Sequence, residues 1–187
     1  MTRTASLRAQ YRAADSMIEE IFSAIDDYEG EGDAYPLSMR LARLAGILRT
    51  NFAMEEQALY PRMLTADHRE AAIIARVFQS ELGHLSARFD RFMERWGSSA
   101  AIAASPAQLE FEAGMMFAAI RDRVHRANRE LYPVADVVST LGELRSQVAA
   151  GQDPADYPRE PKAAAASSTS SAMISATGSS RLTMPTD

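Results

Sequence analysis

Apolar side chains recur at three- and four-residue steps along most of the chain, which is the spacing of one face of an α-helix. Four such stretches follow one another, over about residues 4–28, 36–60, 67–96 and 106–132. No alternating pattern typical of a β-strand competes with them. Because the connections are short enough for antiparallel neighbours, the pattern predicts an all-α protein, an up-down-up-down four-helix bundle.

Glycine and proline residues predict where these helices begin and end. Two glycines within Glu29–Asp33 break the first helix, and Pro36 is expected to start the second. Pro61 predicts either the end of the second helix or a kink near it. After the fourth helix, Val134–Gln147 is weakly periodic and predicts a short fifth helix packed on the bundle.

The composition changes near residue 150. Residues 1–150 are expected to form the bundle domain, whereas residues 151–187 are rich in Ala, Ser and Thr. A segment of that composition cannot bury enough apolar surface to offset its loss of chain entropy. We therefore expect residues 151–187 to be a disordered tail.

Composition and charge exclude several functions for this 187-residue chain. It has no cysteine, which excludes disulfides and thiol catalysis, and its net charge of -5 argues against a nucleic-acid partner. No apolar run approaches the roughly 20 residues that span a bilayer, so no membrane partner is expected. The N-terminus lacks a signal-peptide core, and a cytoplasmic protein is the expectation.

One short phrase occurs twice and draws attention to a carboxylate. Residues Asn51–Pro61 and Arg123–Pro133 both end a helical pattern with Leu-Tyr-Pro. The first copy places Glu55 near the centre of its helix's apolar face. A carboxylate in that position is costly unless it is paired or bound to a metal. Glu55 is therefore the starting point for the question of function.

Helical phase places further polar residues on inward faces. At about 100° per residue, these residues fall within or beside the apolar stripes of their helices and, with the helices antiparallel, lie near one level. They are Tyr11, Asn51, Glu55, Glu81 and Arg123. We therefore expect a polar cluster inside the bundle.

The three histidines offer few metal ligands. His84 forms a Glu-x-x-His pair with Glu81, a spacing used in di-iron carboxylate bundles, although those sites use two such pairs. The alternative is that His84 is a half-buried histidine at a helix boundary. We expect His68 to begin the third helix and His125 to face solvent.

The first copy of the phrase resembles the hemerythrin-like, or HHE cation-binding, family, in which it reads His-x-x-x-Glu-Glu-x-x-Leu-Phe/Tyr-Pro. The second Leu-Tyr-Pro and the start of the first helix, Leu7–Tyr11, are also similar, and the resemblance covers about residues 5–135. It implies a four-helix bundle whose di-iron centre is held by histidines and two bridging carboxylates. The implied functions are oxygen carriage, oxygen or nitric oxide sensing, and iron handling.

The resemblance also implies where metal ligands would lie, and most of those positions are substituted. Only Glu55 keeps the family's residue type. Tyr11, Asn51 and Arg123 stand where the family has histidines, Leu82 takes the ligand position of the third helix, and Ala127 with Asn128 replaces a carboxylate. A di-iron site suits imidazole ligands, which this chain does not supply at these positions.

Three interpretations of the predicted cluster remain. In the first, Arg123 fills the space of the metal and pairs with Glu55, and its five donors can also serve Glu81. The protein would then contain no cofactor and act as a non-enzymatic binding or regulatory module, derived from a signalling or sensor protein, with a protein partner or as a homodimer.

In the second interpretation, a reduced site made of Glu55, Glu81, His84 and Tyr11 binds iron or another hard divalent cation. The function would then be in oxygen, nitric oxide or iron handling. In the third, paired carboxylates act as the acid and base of an enzyme, for which the sequence offers neither a nucleophile motif nor a phosphate loop.

Overall fold

The computed structural model describes residues 4–151, and within that range all regular structure is helical. Helices α1, α2, α4 and α6 contact one another in the order of a closed four-helix bundle, which confirms the predicted all-α fold. None of the helices in this range is long and apolar enough to cross a membrane. The helices are α1 (Ala5–Asp26), α2 (Glu31–Met54), α3 (Tyr60–Thr65), α4 (Arg69–Trp96), α5 (Ser99–Ala104), α6 (Pro106–Arg126) and α7 (Tyr132–Ala149).

The apolar stripes meet in one continuous core. Its largest fully buried side chains are aromatic, and the Trp96 indole N–H, at the end of α4, donates to Glu112 Oε2 of α6 at 2.8 Å. Phe117 packs edge-on against Phe22 of α1 and Phe92 of α4. These contacts fix three of the bundle helices against one another at the end of the molecule away from Glu55.

Two π-helical turns interrupt the bundle at equivalent places. Glu55–Leu59 joins α2 to α3, and Ala127–Leu131 joins α6 to α7. Each turn is followed by a tyrosine and a proline. A proline in a continuous α-helix lacks an N–H donor, and its ring clashes with the carbonyl four residues before it, whereas a wider turn accommodates it. The chain therefore continues helically through both Leu-Tyr-Pro phrases.

The helix boundaries differ from the sequence prediction in three places. Helix α2 begins at Glu31, not at Pro36, because Asp33 Oδ2 accepts hydrogen bonds from the backbone N–H groups of Glu29 and Gly30, at 3.0 and 3.2 Å. Pro61 does not end the second helix, which runs on through the π turn into α3. The short helix α5 forms within the linker between α4 and α6.

The predicted fifth helix exists as α7, a continuation of α6. Its first half packs on the bundle through Tyr132, Ala135 and Val138, but residues 140–150 are exposed on every side. The prediction that the whole fifth helix packs on the bundle is therefore wrong for its second half. The expected disordered tail, residues 151–187, lies almost wholly outside the described residues.

Candidate functional site

Glu55 lies at the centre of the bundle and is fully buried. Its two carboxylate oxygens accept hydrogen bonds from four side chains, which lie on α1, α3, α6 and α7. Tyr11 and Tyr132 donate to Oε1 at 3.0 and 2.7 Å. Tyr60 and an Arg123 Nη2 donate to Oε2 at 2.6 and 2.5 Å. A carboxylate has about four lone-pair sites, so these donors fill the acceptor capacity of Glu55.

Arg123 reaches this carboxylate from α6. Its Nη2 also lies 2.7 Å from the Tyr60 hydroxyl oxygen, and its Nη1 lies 3.4 Å from that of Tyr11. The guanidinium carbon is 5.9 Å from the centre of the Phe78 ring, within range of a cation–π contact. A planar guanidinium with several donors suits a carboxylate surrounded by phenols, since it can serve more than one acceptor.

The three phenols are held in their neutral form. Burial, and next the nearby charge of Glu55, raise the pKa of Tyr11, Tyr60 and Tyr132 above the ordinary tyrosine value. A neutral phenol is the hydrogen-bond donor that an ionised carboxylate needs. The four side chains therefore form a set in which every hydroxyl proton has an acceptor.

The guanidinium is held in its charged form. Burial alone lowers the pKa of Arg123, but the negative charge of Glu55 and its hydrogen bond to the guanidinium raise this pKa, and the net shift is upward. Arg123 and Glu55 therefore form a buried ion pair with additional hydrogen bonds. Such a pair is costly to break from one side, because the remaining charge has no counter-ion.

Asn51 lies one helical turn before Glu55 and is also fully buried. Neither atom of its side-chain amide has a hydrogen-bond partner among residues 4–151, and the same is true of Arg123 Nε. The structure therefore places Asn51 in the core, as its helical phase predicts, but does not join it to the hydrogen bonds around Glu55.

Glu81 and His84 lie outside this cluster. Glu81 is half-buried and pairs with Arg126 of α6 at 3.0 Å, and His84 is exposed in a shallow groove between α4 and α6. The expectation that the Glu81 side chain converges with Glu55 inside the bundle is therefore wrong. Leu82 takes the inward position on α4, which turns the preceding side chain to the flank, where Arg126 pairs with it. A metal-ligand role for Glu81 or His84 stays a prediction.

The two other histidines lie where the sequence predicts. The imidazole of His68 caps α4, because its Nδ1 accepts a hydrogen bond from the Ala71 N–H at 3.1 Å. His125 is exposed on α6. Neither side chain approaches Glu55.

Helical phase does not reveal Tyr60 and Tyr132. In an ideal α-helix, a residue five positions after Glu55 points about 140° away from it. The π turns change this phase, since the Tyr60 N–H bonds to the Glu55 carbonyl and the Tyr132 N–H to the Ala127 carbonyl, five residues back. The one signal in the sequence is the repetition of Leu-Tyr-Pro at the ends of two inward-facing stripes.

The family comparison agrees with this architecture. The sequence model of the hemerythrin HHE cation binding domain matches residues 2–135. The chain belongs to the hemerythrin HHE family. The match covers the four bundle helices and ends just after the second Leu-Tyr-Pro, within the start of α7. Comparisons with curated proteins and with solved structures gave no match.

The donor set of this hemerythrin HHE bundle does not fit a di-iron centre. The positions that the resemblance aligns with metal ligands are buried except for Asn128, but Leu82 and Ala127 carry no donor atom in the core, and Arg123 brings a positive charge. Within residues 4–151, no three His, Cys, Asp or Glu side chains converge so as to hold a metal ion. The core keeps the position of the family's site but contains different chemistry.

Proposed function

We propose that this protein is a non-enzymatic binding or regulatory module of the hemerythrin HHE family, in which Arg123 serves as the fixed cation in the place of a metal. The observation that carries the proposal is the saturation of Glu55. Its hydrogen bonds from three phenols and from Arg123, which is also its ion-pair partner, leave no lone pair for a metal. A metal ion at Glu55 would have to displace Arg123 from the carboxylate. Two positive charges, the metal ion and the buried guanidinium, would then repel each other in the core.

Among residues 4–151 Glu55 is the only buried acid, which supports a role without catalysis. Acid–base chemistry with two carboxylates needs a pair that faces one substrate, with separated pKa values. The predicted second acid, Glu81, is instead joined to Arg126 on the flank of α4. The buried phenols act as donors to Glu55, and Glu55 itself is fully buried.

Two surface grooves are lined by side chains that belong to the hydrogen-bonded cluster around Glu55. A groove of about 560 Å³ runs between α1 and α6, and Tyr11 forms part of its lining while donating to Glu55. Arg123 borders a second groove, between α4 and α6. A ligand or protein that enters either groove would contact a side chain of the cluster, which is how a regulatory module could sense its partner.

Metal analysis tests this proposal. The full chain should be expressed aerobically in iron-supplemented medium and purified without chelators, and its iron, manganese and zinc measured together with its visible spectrum. We expect far less than one metal ion per chain and no ligand-to-metal absorption band. Glu55→Ala should leave the trace metal content unchanged.

The opposite result would support the reduced metal site. About one metal per chain, lost on Glu55→Ala and on Tyr11→Phe, would overturn the proposal and make Glu55 and Tyr11 ligands. Glu81→Ala and His84→Ala would then show whether these residues complete the site. His125→Ala is the matched control, since it removes an exposed histidine that makes no hydrogen bond to Glu55.

A further inference from the structure

The exposed half of α7 carries a row of large apolar side chains. Val137, Leu141, Leu144 and Val148 are 51%, 44%, 47% and 61% exposed. They follow one another at steps of four, three and four residues, which places them along one side of the helix in the a and d positions of a heptad. We call these four residues the α7 stripe. This spacing is that of a seam between two helices.

Few tertiary contacts stabilise the segment of α7 that carries the stripe. Every residue from 140 to 150 is exposed, and Arg145 reaches the bundle only through an exposed ion pair with Asp67 at 3.5 Å. Helices shorter than about 12–15 residues are marginal in water without packing, and Gly142 within this segment costs roughly a further 1 kcal/mol relative to alanine. A partner that covers the stripe would therefore stabilise the helix as well.

The order of the α7 stripe is the same read in either direction, because its steps are four, three, four. In an antiparallel pair of identical helices, Leu141 of one copy then meets Leu144 of the other, and Val137 meets Val148. A twofold axis between Leu141 and Leu144 generates all four layers from one chain. Such an isologous contact needs no second kind of partner.

We propose that a second copy of this chain packs its α7 antiparallel against the α7 stripe and forms a homodimer. The flanks of the stripe permit this approach. Thr140 and Gln147 lie along one side and are uncharged, whereas Arg145 on the other side is turned toward Asp67 of its own chain, 3.5 Å away. No pair of like charges is forced together across the axis.

The chain's own C-terminal segment is a poorer occupant. Between residues 152 and 187 the large apolar side chains do not repeat at heptad steps; they are Tyr157, Met173, Ile174, Leu182 and Met184. The contact between two stripes is small, below the roughly 1,200 Å² of stable complexes. The dimer therefore forms at high protein concentration and dissociates on dilution.

Sedimentation of the full chain over a range of concentrations tests the proposal. The wild-type chain is expected to shift from monomer to dimer as its concentration rises, and the Leu141→Asp/Leu144→Asp variant is expected to remain monomeric throughout. The matched control is Ile73→Asp/Val77→Asp, which alters two residues of α4 that are 53% and 48% exposed. This control should dimerise as the wild type does. Wild-type monomer at every concentration would overturn the proposal and leave the C-terminal segment or another protein to cover the stripe.

Cysteine pairing tests the orientation, because the chain has no cysteine of its own. When Val137→Cys and Val148→Cys chains are mixed, oxidised glutathione accepts the two electrons and two protons released as their thiols join. We expect the disulfide between the two different variants to dominate. Predominant pairing of each variant with itself would indicate parallel helices and overturn the antiparallel arrangement.

Discussion

Arg123 and Glu55 face each other in the centre of the bundle, with Nη2 2.5 Å from Oε2 and side chains that are 5% and 0% exposed. One comes from α6 and the other from the π turn after α2. In a family whose name refers to cation binding, the cation at this carboxylate is supplied by the chain itself.

The tyrosine hydroxyls are expected to stabilise the fold through Glu55. Tyr132→Phe removes one hydrogen bond to the carboxylate and should lower the free energy of unfolding by about 1.5–3 kcal/mol. Tyr60→Phe should cost at least as much, because its hydroxyl also contacts Arg123. Denaturant unfolding of the two variants measures these differences.

Tyr35→Phe is the control for this comparison. Tyr35 is 65% exposed, so its variant should stay within about 0.5 kcal/mol of the wild type. Equal effects of all three substitutions would show that the Glu55 hydrogen bonds add nothing to stability.

Stability should fall steeply in alkali. The pKa values of Tyr11, Tyr60 and Tyr132 are raised by burial and by Glu55, so the folded chain keeps protons that the unfolded chain loses near pH 10. Because the unfolded state then binds fewer protons, the free energy of unfolding decreases as the pH rises above about 10. Each phenol contributes a slope of up to about 1.4 kcal/mol per pH unit.

Denaturant unfolding at a series of pH values measures this slope, and phenolate absorbance shows when the tyrosines ionise. The slope of Tyr132→Phe should be smaller by about one proton. If all the tyrosines ionised before any helical signal was lost, the pKa values of Tyr11, Tyr60 and Tyr132 would not be raised in the folded chain, which would contradict the prediction.

Asn51 is expected to be replaceable. Its amide is buried without a hydrogen-bond partner in the described part of the chain, which costs free energy. Asn51→Leu has a similar shape and should raise the free energy of unfolding by about 1 kcal/mol. Thermal unfolding measures the change, and a loss of stability instead would show that the amide binds a group in solution.

The sequence predicts the bundle and its inward carboxylate because both depend on regular helical phase. Glu55 and Arg123 fall on or beside apolar stripes, and the structure brings them together with Tyr11. The prediction fails where the phase is not regular. The π turns before Tyr60 and Tyr132 rotate these side chains inward. No residue type within the two turns predicts a π-helical conformation.

Glu81 shows a second limit of the same reasoning. Its position at the edge of the α4 stripe permits both an inward and a flanking orientation, because the neighbouring Leu82 competes for the inward place. Leu82 takes the inward place because burying the Glu81 carboxylate would cost more free energy than leaving it at the flank, where it pairs with Arg126. Only the relative placement of α4 and α6, which the sequence does not state, decides between the two.

We propose that Arg123 neutralises Glu55 as a metal would, and a double-mutant cycle measures how strongly the two side chains are coupled. Arg123→Met leaves a buried carboxylate without a counter-ion, Glu55→Gln leaves a buried guanidinium, and each should cost about 3–5 kcal/mol in denaturant unfolding. The double variant removes both charges and should be more stable than either single variant, with a coupling energy of about 3 kcal/mol. Additive effects, within about 0.5 kcal/mol, would contradict the claim.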